Sequence, residues 1–302
     1  MAVVIALAAA GSALRSHAAL VLSEVLCDNA SSLVDWRGEH SDWIEIYNPG
    51  PENENLAGWY LTDDPADLTK WQFPAILLRS SRFQIIFASG LEVNEVTGAR
   101  VPHASFKLSA DGEYLALVKP DGTTIAHALD FSDVPQHTDV SYGLPLDDTG
   151  FRIDVNGTPK FLASPTPMQA NDHTLDGIIE PVLSSKPHGF YDAPFDLELA
   201  SATPDVEIRY TTDGSEPSPL NGEPLAGKLT VDRTTTLRAI ALRSSWKSSP
   251  VMTRTYLFLD DVVHQSSNGE APDGWPEGDV NGQVLDYGMD PDIVEKLATP
   301  AA

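Results

Sequence analysis

Short apolar runs separated by turn residues recur along this chain, and their dominant period is two. Leu20–Leu26 is a strand-forming run rich in aliphatic residues. In Asp42–Asn48 (DWIEIYN), Ile44 and Ile46 fall on one side, and Trp43, Glu45 and Tyr47 on the other, because side chains alternate along a strand. Trp59–Leu61 is a short apolar piece before the turn Thr62-Asp63-Asp64-Pro65. Phe83–Phe87 (FQIIF) is almost wholly apolar and predicts a central strand covered on both faces. Glu113–Val118 and Thr124–Phe131 flank Lys119-Pro120-Asp121-Gly122. Asp-Gly between two such runs predicts a hairpin, since glycine supplies the positive φ of the turn. The return strand should place Ile125, His127, Leu129 and Phe131 on one face. No amphipathic helix longer than two turns is expected before residue 160.

The rhythm breaks at residues 162–180. Pro165 and Pro167 oppose helix and central strand, and the polar run after them has no period. This stretch is expected to be a linker. Strand patterning then resumes in Phe195–Leu199 and in Val206, Ile208 and Tyr210, followed by a turn over residues 211–215. Leu229 with Val231, Thr235–Leu242 and Val251–Phe258 complete the second set. The pattern predicts an all-β protein with two tandem β-sandwiches or barrels over 19–161 and 181–259. Residues 260–302 are expected to form a largely irregular tail. Asp290 is a candidate cap for a short terminal helix, with Pro291 and Asp292 in its first turn.

Composition narrows the function. The chain has 302 residues with 23 Pro, 21 Gly, 44 acidic and 19 basic residues, a formal net charge of −25. So negative a surface repels phosphate backbones, which argues against nucleic acid as a partner. The single cysteine, Cys27, allows no internal disulfide and is expected to be a buried strand residue. Residues 1–18 are expected to be an export signal. Ala2–Ala10 is apolar and Ser16-His17-Ala18 supplies small residues before a cut, although Arg15 lies on the far side of the apolar run. Export with one thiol suits a bacterial protein, secreted or at the cell surface. No other run is long and apolar enough to span a membrane.

The candidate chemistry is sparse. The adjacent pairs Asp63-Asp64 and Asp147-Asp148 are expected to be solvated turns. The loop from Asp28 to Asp42, with Asp35, Glu39 and His40, has the density of oxygen ligands for calcium but not the spacing of a dedicated loop. None of the eight histidines forms a zinc-spaced pair, and His127 is expected to be a core or rim residue. No Gly-x-Ser-x-Gly elbow occurs. Trp36, Trp43, Trp59 and Trp71 crowd the first half, as core or as a sugar-stacking platform. No catalytic, cofactor-binding or metal residue is assigned.

Two resemblances follow. Ser23-Glu24, Asp42–Asn48, Leu56–Asp64, Lys70–Pro74, Phe106–Leu108 and Asp111–Glu113 together make residues 20–170 resemble the lamin-tail domain, an immunoglobulin-like sandwich found in nuclear lamins and in bacterial surface and secreted proteins. Ile208–Pro217 and Thr235–Ala241 make residues 181–259 similar to the C-terminal sandwich of chitobiases and hexosaminidases, an accessory module. Neither resemblance implies catalytic residues. Their order resembles the front of bacterial surface proteins that continue into a kinase-like domain of the spore-coat CotH type, with residues 283–294 as the lead-in. The resemblance implies binding or scaffolding on a polymer, glycan or protein partner. The alternative is the substrate-positioning front of a larger enzyme.

Overall fold

The computed structural model describes residues 20–91, 101–263, 268–271, 276–280 and 282–298. The expected export signal lies outside them. The chain divides into two compact units, residues 1–174 and 175–302.

In the first unit the strands are β1 (Val21–Leu26), β2 (Trp43–Tyr47), β3 (Glu54–Asn55), β4 (Tyr60–Thr62), β5 (Trp71–Gln72), β6 (Leu77–Leu78), β7 (Phe83–Phe87), β8 (Tyr114–Val118), β9 (Ile125–Asp130), β10 (Tyr142–Gly143), β11 (Lys160–Leu162) and β12 (Thr174–Leu175). One sheet has the order β12-β11-β10-β1-β2-β7 and a second has β5-β4-β8-β9. Val25, Ile44, Ile46 and Ile86 of the first sheet pack with Leu61, Trp71, Leu115, Leu117 and Leu129 of the second. The outer face of the first sheet is covered as well: Leu26, Trp43, Ile85 and Phe87 form a separate buried cluster. Alternation in DWIEIY therefore feeds two apolar layers, and both Trp43 and the isoleucines are buried.

Two sequence expectations need correction here. Phe83–Phe87 is covered on both faces, but it ends the sheet rather than sitting in its centre. Its outer edge is met at Phe87, whose N–H donates to Pro102 O and whose carbonyl accepts from Ala104 N–H. In the hairpin, Gly122 takes φ +69° as the turn requires. A register shift at Leu117/Val118 then reverses the alternation: His127 and Leu129 face the core, but Ile125 is turned out and 44% exposed.

In the second unit the strands are β13 (Gly177–Ile178), β14 (Leu183–Ser184), β15 (Gly189–Tyr191), β16 (Phe195–Leu197), β17 (Leu199–Ala200), β18 (Glu207–Thr211), β19 (Glu223–Pro224), β20 (Leu229–Val231), β21 (Thr235–Leu242), β22 (Trp246–Lys247) and β23 (Met252–Phe258). The main sheet runs β15-β23-β21-β18-β19. Its edge strand β15 pairs parallel to β23. Leu237, Ala239, Ala241, Met252 and Tyr256 of this sheet pack against Leu197 of β16 and Val231 of β20, which form their own antiparallel pair. Tyr191, Phe195, Tyr256 and Phe258 add an aromatic cluster, with the Tyr191 and Phe195 rings 4.3 Å apart. Beyond it lie helix α1 (Leu259–Val263), the hairpin β24 (Asp279–Val280) with β25 (Gln283–Val284), and helix α2 (Pro291–Ala298). Asp290 caps α2 through its side-chain oxygen on the Asp292 N–H.

The expected linker at 162–180 is divided between the two interiors. Leu162, Thr166 and Asn171 are buried in the first unit, and Ile179 joins the core of the second. Polar residues there have buried partners, so a sequence without periodicity still packs.

Candidate functional site

The tryptophans separate sharply. Trp43, Trp59 and Trp71 are buried, while Trp36 is 52% exposed. A surface platform built from several of them is therefore not assembled. In the acidic loop, Asp35 is enclosed by its own neighbours. Its carboxylate accepts from Arg37 Nε and Nη2 at 3.0 and 2.8 Å, from the N–H groups of Arg37 and Glu39, and from Ser41 Oγ. Asp28 accepts from Thr138 Oγ1, and Asp42 from the Asn29 N–H. The Arg37 guanidinium already pairs with the Asp35 carboxylate. No group of three or more His, Cys, Asp or Glu side chains is placed to hold a metal among the described residues.

The two aspartate pairs sit in turns. Asp64 accepts from the Ala66 N–H, and Asp63 pairs with Lys70 at 2.6 Å. Asp147 accepts from Thr149 at an exposed turn. His127 accepts from the Leu22 N–H, and burial pushes its pKa down to about 4. Cys27 is buried, and desolvation with nearby Asp42, Glu113 and Asp28 pushes its thiol up, away from thiolate chemistry.

A sizeable concavity lies in the second unit. It has about 840 Å³ and is formed by the end of β18, the turn after it, β20 and the start of β21. Such a volume lies within the roughly 300–1,000 Å³ of small-ligand clefts. Its lining is hydroxyl- and carboxylate-rich, with Tyr210, Thr230, Thr235, Asp213, Glu223 and Asp232. The walls are braced locally. Tyr210 Oη donates to Glu223 at 3.3 Å, Thr211 Oγ1 donates to Ser215 O at 2.6 Å, and Asn221 Nδ2 donates to Glu216 O at 2.7 Å. Ser215 Oγ donates to Asp213 at 2.6 Å, and this bond with the Ser215 N–H holds the Asp213 carboxyl below its ordinary range. A carboxylate so stabilised is a weak base, and no histidine lines the cleft to activate Ser215. The arrangement suits hydrogen bonding to a hydroxyl-rich ligand better than proton transfer. This cleft was not singled out from sequence, although its turn, Thr211–Ser215, was.

A smaller cleft of about 400 Å³ is lined by Arg209, Arg243 and Trp246. These groups already serve the fold. Arg243 lies 4.5 Å over the Trp246 ring and donates to Pro204 O. The ring also packs on Gly177, where an added Cβ would come within 2.5 Å of it. Arg209 is taken by Glu207 and Gly222 O.

The first unit holds the most unusual electrostatic feature. Glu24 and Glu45 are directly opposite across β1 and β2, and both are 0% exposed. Glu24 accepts from the Thr166 N–H at 2.9 Å and Thr166 Oγ1 at 2.8 Å. Glu45 accepts from Ser23 Oγ at 2.8 Å and the Met168 N–H at 2.5 Å. Burial raises both carboxyls, and the proximity of Glu24 helps push Glu45 up to about 8.

Comparison with known families agrees with this architecture. Residues 14–131 match the model of the Lamin Tail Domain, and residues 186–253 match that of the Chitobiase/beta-hexosaminidase C-terminal domain. No curated protein matches the chain, and no solved structure does.

Proposed function

We propose that this chain, a lamin tail domain followed by a chitobiase-type C-terminal domain, is a non-catalytic binding and scaffolding protein of the bacterial cell surface. The cleft beside Tyr210 is its ligand face, and a glycan is the ligand class it fits. The observation that carries this reading is the cleft itself. It is open and polar, and its one serine–carboxylate contact ties Ser215 to a stabilised Asp213. Carboxylates and threonine hydroxyls accept and donate to sugar hydroxyls without any change of protonation. The net charge of −25 keeps such a protein dispersed and turns away polyanions.

The test is affinity electrophoresis of the whole chain through gels containing neutral, acidic and amino polysaccharides, alongside a glycan array. Retardation by one class is expected, with Glu223→Gln and Asp232→Asn each weakening it at least threefold. No retardation by any polysaccharide removes the glycan reading.

A second reading places these domains ahead of a kinase-like or hydrolytic domain. It is favoured by the capped helix α2, whose Ile293 is 42% exposed. Genomic sequence beyond Ala302 decides it: an open frame into such a domain supports this reading, and a stop codon removes it.

A further inference from the structure

We propose that the 163–173 segment is a pH-operated latch, in which a proton shared by Glu24 and Glu45 holds the segment on the sheet and loss of that proton releases it. The argument starts from register. A β-bulge at Ser23 lies between the pairs Leu22↔Ile46 and Glu24↔Glu45. Without the extra residue, Glu24 would fall opposite Ile44 and face the apolar core, because a one-residue slip moves every side chain to the other face. With it, two carboxyls stand side by side on the outer face, where like charges directly opposite repel.

The segment that covers them bonds directly to both carboxyls. Between β11 and β12 it carries Pro165 and Pro167, which remove two backbone donors. Thr166 and Met168 supply three hydrogen bonds to the two carboxyls, and Ser23 Oγ supplies another. Met168 is held at φ +64°, an uncommon conformation for a side chain of its size. Asn171 completes the fastening by donating to Ser23 O and Leu144 O, both at 2.8 Å. Gly143 makes room for it: an added Cβ there would lie 2.3 Å from Ser23 O and 2.8 Å from Asn171 Nδ2.

The groups that donate to the two carboxyls, from Ser23, Thr166 and Met168, are neutral, and the charged group in register on the same face is Lys160 of β11, one strand beyond Gly143. From the residue before β10 comes Ser141, whose buried Oγ lies beside Glu24. From β7 comes Ile85, paired with Glu45. On the segment, Asp172 and His173 are exposed and face each other at 3.6 Å. Two ionised carboxylates in this dry setting have only neutral donors, so one proton must stay for the cover to stay.

Hydrogen–deuterium exchange on the full chain between pH 6.5 and 9, normalised for intrinsic exchange, tests the latch. Protection of a peptide spanning 163–173 is expected to fall at least tenfold over that range while β2 and β7 keep theirs. Glu45→Gln and Glu24→Gln each leave a neutral neighbour beside one carboxylate, and both are expected to keep the segment protected at pH 9. Wild-type protection that ignores pH overturns the proposal. So do Gln variants that open over the same pH range as wild type. Loss of protection in both variants at pH 6.5 also overturns it, since the carboxyls would then act as acceptors alone.

Discussion

The first sandwich buries Glu24, Glu45, Asp35, Asn48, His103 and Asn171, whereas the buried polar side chains described in the second are the hydroxyls of Thr203, Thr211 and Ser249. The second fills its interior with an aromatic cluster and small residues such as Ala239 and Ala241. The difference assigns different duties to the two units. An interior with ionisable groups links folding to protonation. An interior of hydrocarbon and hydroxyl does not, and such a unit is free to present its carboxylates in an open cleft. Conditions that change the first sandwich should therefore leave the second largely untouched.

The comparison breaks most forcefully at Trp43. This side chain is 0% exposed and belongs to the cluster on the outer face of the first sheet. Trp43→Ala is expected to cost about 3–5 kcal/mol, a large part of the roughly 5–15 kcal/mol that a domain has. Native-state hydrogen exchange should show the loss in β1 and β2 and not in β18 and β21. A cost below about 1 kcal/mol would mean that the outer cluster is loosely packed cover.

pH sharpens the comparison next. Glu45 has its folded value near 8 against an ordinary 4.5, so the folded chain keeps a proton that the unfolded chain releases, and stability falls as pH climbs through that window. Asp42, raised by burial to about 6 from 3.8, acts in the same sense at lower pH. His127 acts oppositely: its folded value near 4 against 6.5 costs stability as pH falls through that range. Between pH 4.5 and 6 these three partly cancel. Above pH 6.5 the glutamate pair dominates, and the first sandwich is expected to lose about 1.4 kcal/mol per pH unit up to pH 8. In the second unit Asp213 is lowered while Tyr210, Tyr256 and Lys228 are raised, all outside that range. Urea midpoints at pH 6.5 and 8, read by exchange in each unit, should move in the first alone. Glu45→Gln should flatten the slope.

Alternation made the strand set legible. The FQIIF run is β7 residue for residue, and TTLRAIAL is β21. The Asp-Gly hairpin and the Asp290 cap were legible because each rests on one local conformational demand. The bulges were not. Nothing in Ser23 itself says that a residue will be skipped there, yet that skip places Glu24 opposite Glu45. The edge position of β7 and the parallel pairing of β15 depend on partners distant in sequence. The 163–173 segment was read as linker because prolines and polar residues without a period are what linkers contain. Its partners are two acids more than 100 residues earlier in the chain, on a sheet face that local patterning could not show as buried. The large cleft was hidden for a similar reason: its walls come from β18, β20 and β21, and only one of its turns had a signature of its own.

The smallest expected effect contrasts two ion pairs. Arg209 and Glu207 approach to 2.6 Å in the second unit with side chains 25% and 51% exposed. Arg37 and Asp35 approach to 2.8 Å in the first, with the Asp35 side chain 0% exposed. Glu207→Ala removes a pair that water screens, and its expected cost is below about 1 kcal/mol. Asp35→Ala also strips acceptors from the N–H groups of Arg37 and Glu39, so a cost of about 1–2 kcal/mol is expected. Salt separates the causes. At 1 M the screening length is about 3 Å, so the Glu207 effect should vanish while most of the Asp35 effect remains, because bonds to backbone N–H groups survive screening. Equal salt sensitivity at the two sites would mean that Asp35 acts on its loop through the guanidinium alone.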